Sequence, residues 1–225
     1  MSPRPSRPRR QGDAPEPSYT VQADNITVDL GSQATVDCYQ RLLDREIMEQ
    51  AWAPSRSLMR EVHIYDGVHA LFANIEWEHL LSMDFATCHL LTRDFLSTLS
   101  EINHEGNLAF HISSTPHTIH VDQLCTIFHT PITSLFHPTP TFDVHEFRYS
   151  ITELETTKAG KAKLFLLWCM ITKSYRTHFG DIIIQRFHRV ISLHTGGAIR
   201  CGGLISVIAR SFAPQSPAWY AFFYK

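Results

Sequence analysis

Apolar residues recur at helical spacing along most of the chain. Leu42, Leu43, Ile47 and Trp52 follow one face from about Tyr39 until Pro54 interrupts it. Val68, Leu71, Phe72 and Ile75 form a second stripe, which Asp66 is placed to cap, and Trp77 to Met83 is a short apolar segment. The clearest helix opens at Ala86 or Thr87. Its stripe is Leu91, Phe95, Leu99 and Ile102, with Arg93, Asp94 and Ser97 off it. The period then changes. Residues 108–112 and 118–120 alternate on either side of Ser113-Ser114-Thr115-Pro116, which predicts a β-hairpin with a loop of four or five residues. A short helix is expected over 122–128, ended by Pro131, and three more over 161–176, 182–193 and 204–212. Pro131, Pro138 and Pro140 make 131–142 a loop.

The expected fold is mainly α: an irregular helical domain over 38–212 with one small β-hairpin. Residues 1–37 read as a disordered arm, because five of the twelve prolines fall in the first 17 positions among Ser, Arg and Gln. Within the arm, 21–30 is mildly apolar and could extend. Residues 213–225 form an aromatic tail that reads as a truncated end. The 225 residues, 44% hydrophobic and 19% charged, can close a core without disulfide or metal. The longest uncharged apolar run, 164–172, falls well short of the roughly 20 residues of a membrane span. Arg4, Arg7, Arg9 and Arg10 have no apolar stretch behind them, so they do not open a secretory signal. Five scattered cysteines, never spaced CxxC, suit a reducing compartment, and an intracellular protein, nuclear or cytoplasmic, is expected.

The net charge of −2 conceals a segregation. Residues 1–10 carry +4; residues 11–157 carry 6 bases and 21 acids, giving −15; residues 158–225 carry 10 bases against Asp181, giving +9. A basic third of this kind raises the odds of a polyanionic partner, while the plainer explanation is that acidic and basic parts face each other within one fold. On the expected helices Lys173 and Arg176 share a face, as do Arg186 and Arg189, and Arg200 and Arg210 follow. These six are the candidate nucleic-acid contacts; Lys158, Lys161 and Lys163 add to the same charge.

Other chemistry is thinly supported. Among fourteen histidines the nearest pair is His117-x-x-His120, with His111 on the partner strand, but residues three apart on a strand face opposite ways. No metal or cofactor is expected, and those three would be the first suspects for one. Cys88-His89 are adjacent on a helix and point about 100° apart, which does not suit a thiol and its base. The run Gly196-Gly197-Ala198-Ile199-Arg200-Cys201-Gly202-Gly203 lacks a phosphate-loop lysine and reads as a connection using glycine for positive φ and close approach. Trp77, Phe85, Phe95, Phe110 and Phe128 read as core, not as base-stacking platforms. No protease or hydrolase motif occurs, and no spacing singles out a carboxylate trio.

The segment from Ile64 through Trp77 to Leu81 (IYDGVHALFANIEWEHLL) resembles a block of the first-open-reading-frame proteins of Athila-type plant retrotransposons and of the related putative plant transposon protein domain. Leu91-Thr92-Arg93-Asp94-Phe95-Leu96-Ser97-Thr98-Leu99 stands where that family has a TREFLATL-like block. The segment from Ile119 to Pro131 (IHVDQLCTIFHTP) matches its LT.EQL..IFG.P-like segment, and Arg186 to Ile191 matches a later basic-aromatic block. The resemblance spans about 58–212. Two departures stand out: Glu76 precedes Trp77 where the family often has glycine, and His129 replaces a common glycine before Thr-Pro. The resemblance implies a transposable-element origin and a gag-like or accessory role with no established catalytic residue. The chain is therefore expected to be non-enzymatic, with nucleic acid (bound without sequence preference) or a second copy as partner, and no membrane or small-molecule substrate. A transposase- or integrase-type enzyme fragment and a domesticated protein-interaction module are the alternatives.

Overall fold

The computed structural model describes residues 19–23, 26–48, 56–83, 86–101, 106–112, 114–132, 142–144, 146–147, 161–173, 178–192 and 197–212. In chain order these form β1 (Thr20–Ala23), β2 (Ile26–Asp29), α1 (Gln33–Leu43), α2 (Arg56–Glu61), α3 (Tyr65–Ala73), a 3-10 turn (Glu78–Leu81) and α4 (His89–Thr98). There follow β3 (Ser100–Glu101), β4 (Asn107–Ile112), β5 (Thr115–His120), α5 (Val121–Ile127), α6 (Lys161–Thr172), α7 (Phe179–Ser192) and α8 (Gly202–Phe212). The fold is mainly helical and includes the expected hairpin, as β4–β5.

The fold is centred on α4. Leu90, Leu91, Thr92, Asp94, Phe95, Leu96 and Ser97 are all buried, so the helix is enclosed over most of its circumference, with His89 and Arg93 at the open edge. It packs against α1, β4, α7 and α8. Asp94 and Ser97, which the periodicity places off the stripe, are thus part of the interior. The hydroxyls of Thr92 and Ser97 donate to the carbonyls of Cys88 and Asp94 (2.7 and 3.0 Å), which removes the cost of burying them. Leu108, Phe110 and Ile112 alternate inward from β4. Phe110 and Phe187 both meet the Phe95 ring (centroids 4.5 and 5.3 Å apart), while Phe179 joins Trp77 to Phe128 (4.8 and 5.3 Å). Trp77, Leu91, Phe95 and Phe128 share one core, with Leu99 partly buried against it.

The hairpin is tighter than expected. Ile112 pairs with Thr115, so the connection is residues 113–114, and Ser114 turns it at φ 63°. Pro116 lies within β5, where it is tolerated because β5 is the edge of the three-stranded sheet β3-β4-β5.

Order also begins earlier than the expected 37/38 boundary. β1 and β2 form a second hairpin, and α1 starts at Gln33, where the Ser32 hydroxyl accepts from the Thr35 N–H. Val28, Leu30, Tyr39 and Leu90 bury one another, with Val21 and Val36 alongside. This small cluster gives 19–37 the apolar burial that its composition alone does not suggest. Residues 1–18 and 213–225 lie outside the described residues, as do Trp52, Phe85 and Ile102. Helix α1 ends at Leu43, so Ile47 is not on its stripe; Ile47 instead forms a parallel bridge with Ile199. Asp66 sits in the first turn of α3 and does not cap it, although its charge suits that helix end.

Glu76 and His129, where the resemblance leads one to expect glycine, both fall at left-handed backbone positions. Glu76 (φ 61°) closes the turn in which the Trp77 N–H reaches the Phe72 carbonyl at 2.9 Å. His129 (φ 52°) does the same for the Thr130 N–H and the Cys125 carbonyl at 2.8 Å. Each is the residue after a helix end that glycine ordinarily fills, because a Cβ strains this conformation.

Two stability predictions follow from this packing. Phe95→Ala should destabilise the chain by about 3–5 kcal/mol in denaturant unfolding, as for a fully enclosed aromatic; a loss under about 1 kcal/mol would mean α4 is not enclosed. At positions 76 and 129, glycine should be more stable than alanine by about 1 kcal/mol, the reverse of an ordinary helical site. Equal midpoints for the Gly and Ala variants would refute the left-handed assignment.

Candidate nucleic-acid interface

Helix α7 is amphipathic. Phe179, Ile183, Phe187 and Val190 face the core, and Arg186 and Arg189 are exposed along one flank of that face. The strand-like segment after α7 returns beside it, because Ile199 is tied to Glu46 and Met48 by backbone hydrogen bonds of 2.8 and 3.0 Å. This brings Arg200 to the helix: the Arg186 guanidinium donates to the Arg200 carbonyl at 3.2 Å. Arg186, Arg189 and Arg200 are all exposed, with Arg186 against the Arg200 backbone.

The other candidates sit elsewhere. Lys173 is exposed at the end of α6, in a left-handed conformation (φ 55°) with its N–H on the Cys169 carbonyl, so its backbone terminates a helix. Arg210 is exposed in the last turn of α8, where a cation is favoured by the helix dipole. Arg176 lies outside the described residues.

Sequence reasoning missed Arg45. It is 7% exposed, and its guanidinium donates to the Val190 carbonyl at 2.6 Å and the Gly197 carbonyl at 2.8 Å. A charged donor thus closes the end of α7 and pins the connection carrying Arg200. Its partners are 145 and 152 residues away, so no local signal marks it. Burial pushes the Cys201 thiol up to about 11, outweighing Arg186 and Arg45, which favour the thiolate.

A second polar cluster was also invisible in the sequence. His178, 4% exposed, places Nε2 3.0 Å from Asp122 Oδ1 and Nδ1 3.4 Å from Asp181 Oδ2. Cys125 Sγ lies 3.8 and 3.7 Å from the two ring nitrogens and accepts from the Gly180 N–H at 3.4 Å. Cysteine, histidine and aspartate in contact invite a nucleophile reading. Here both nitrogens already face carboxylates at shorter distances than the sulfur, and Cys125 is fully buried. Burial raises its pKa, which is the wrong direction for a thiolate. The cluster instead joins the start of α5 to the start of α7. His120 caps α5 in a reciprocal box with Gln123, and a Cβ on Gly180 would lie 2.4 Å from the Val121 carbonyl oxygen.

The remaining candidates take structural places. His117 stacks near Phe110 and Phe212 on the core side of β5, whereas the register puts His111 and His120 on the other face. Burial, and then nearby His111, hold the His117 pKa below its usual value. Among the described residues, no three His, Cys, Asp or Glu side chains are grouped to hold a metal ion. Cys88 precedes α4 and donates its N–H to Ser206 Oγ at 3.3 Å, while His89 is exposed. Gly202 serves close approach, not positive φ: a Cβ there would lie 2.4 Å from Thr87 Cγ2 and 2.9 Å from Thr92 Oγ1. With Gly202 and Gly203 both buried, the start of α8 is closed to a phosphate. Among the described residues no helix is long and apolar enough to cross a membrane.

A family model described as the ATHILA ORF-1 family matches residues 18–163. No curated protein and no solved structure matches the chain. The match begins at the β1–β2 hairpin and contains the Ile64–Leu81, Leu91–Leu99 and Ile119–Pro131 blocks. It stops before the Arg186–Ile191 block. Since it spans well over half of the sequence, the chain belongs to the ATHILA ORF-1 family and derives from a plant retrotransposon.

Proposed function

We propose that this is a non-enzymatic, gag-like or accessory domain of its element that binds nucleic acid through the phosphate backbone, without reading bases. The observation that carries the reading is the exposure of Arg186, Arg189 and Arg200, with the Arg45 clamp pinning the connection that carries Arg200. Among the described residues, no carboxylate pairs with the Arg189 or Arg200 side chain, although acids outnumber bases before residue 158. Arg189 and Arg200 are exposed to solvent, where they can attract phosphates. The enzyme alternative would need an activated nucleophile or three converging carboxylates. The pair that does converge, Asp122 and Asp181, meets on an imidazole.

Gel shifts with single- and double-stranded DNA and RNA over a salt series test the reading. Binding should be indifferent to sequence and fall steeply with salt. Arg189→Ala with Arg200→Ala should reduce the slope of log K against log salt by about 0.7–0.9 per lost phosphate contact. No shift at low salt would end it. The absence of enzymatic thiol chemistry has its own check. Cys125, Cys169 and Cys201 are buried with raised pKa values, Cys169 to about 11 like Cys201, and Cys38 is buried too. With an aromatic disulfide reagent the native chain should therefore modify Cys88 first and the other four only on unfolding. A Cys125 that outpaced Cys88 would instead indicate an activated nucleophile.

A further inference from the structure

The corner formed by α2 and α3 is unlike the rest of the surface. Leu58, Val62 and Ile64 are 53%, 51% and 50% exposed, three large aliphatic side chains within seven residues. The other strongly exposed aliphatics among the described residues, Leu43, Ile132 and Ile171, are spread over α1, the segment after α5, and α6. The exposure is built in. Met59, 1% exposed, occupies the inward position of α2, so turning the helix to hide Leu58 would bring Met59 into water. After α2 the chain reverses through His63 (φ 57°), with the Ile64 N–H on the Met59 carbonyl at 2.9 Å, which fixes Val62 and Ile64 outward.

Beside this apolar strip runs a polar groove of about 320 Å³ lined by Arg60, His63, Tyr65 and Asp66. The Arg60 guanidinium lies over the Tyr65 ring, 4.9 Å from its centroid, which holds the charge at the groove wall. Cation and carboxylate therefore share one groove, with Glu61 close by. Such a mixed surface offers no net attraction to a polyanion. It is complementary to itself: a two-fold rotation sets Arg60 of one copy against Asp66 of the other, twice, while the aliphatic strips meet between them.

We propose that the α2–α3 corner is a self-association surface, occupied by the same corner of a second copy of this chain. The strip supplies the dry centre and the Arg60–Asp66 pairs supply register at the rim. Two short helices make a small interface, so association is weak and concentration-dependent. The surface is distinct from the exposed arginines of α7, so either proposal can fail without the other.

Sedimentation of the nuclease-treated full chain, from micromolar to millimolar concentration, tests this without nucleic acid bridging the copies. A monomer–dimer equilibrium is expected. Ile64→Glu should weaken it at least about tenfold, because each substitution counts twice in a two-fold interface. Arg60→Glu alone should also weaken it, and Arg60→Glu combined with Asp66→Arg should restore it. All three residues line the exposed corner, and circular dichroism of each variant checks that it folds as the parent does. A chain that stays monomeric throughout overturns the proposal. So does a dimer indifferent to Ile64→Glu, or one that the paired charge exchange fails to rescue.

Discussion

Everything in this fold answers to the enclosure of one ten-residue helix. A helix buried on one stripe needs a single neighbour; α4 is buried around most of its circumference and needs several. They come from the whole length of the chain: α1 on one side, β4 on another, α7 and α8 closing the rest. The closeness has local consequences. Where the start of α8 meets Thr87 and Thr92, no Cβ fits, and residue 202 is glycine. Where α7 starts against α5, the same holds for Gly180 at the Val121 carbonyl. These two glycines belong to helix crossings, not to turns.

The same enclosure explains how much could be read from the sequence. Helices α7 and α8 are legible because each keeps an apolar face, and the hairpin because Leu108, Phe110 and Ile112 alternate. Errors arose where a long-range contact overrides the local period. Ile47 continues the α1 spacing but pairs with Ile199. Asp94 and Ser97 look solvent-facing until α4 is given neighbours on that side. Residues 19–37 have the composition of a linker and gain order only because Val28 and Leu30 find Tyr39 and Leu90. At the candidate site the exposed arginines were legible as types. Arg45, which positions them, was not, because the carbonyls it holds lie near residue 190.

Charge segregation has a related resolution. The acidic part and the basic third are not separate bodies: α5 and α7 pack together, and at their junction Asp122 reaches His178 while Asp181 stands on the other side of the ring. Arg45 crosses the other way, from the acidic part into the end of α7. The polar groups that join the halves include these contacts, directed at helix ends and carbonyls. Among the described residues no carboxylate pairs with Arg189, which is exposed on α7.

The family match ends at 163, but the core does not. Ile183 and Phe187 of α7 and Leu204, Ile205 and Ile208 of α8 are all at most 2% exposed and belong to the same cluster as Phe95 and Phe110. Without them Phe95 would lose the Phe187 ring, and Trp77 and Phe128 would both lose Phe179. A chain stopped at the end of the match would present these aromatics to water, a loss that two small hairpins and a few short helices could not offset. The matched region and the basic helices beyond it must therefore fold together. Helices α7 and α8 are consequently part of the same folded unit as the matched region.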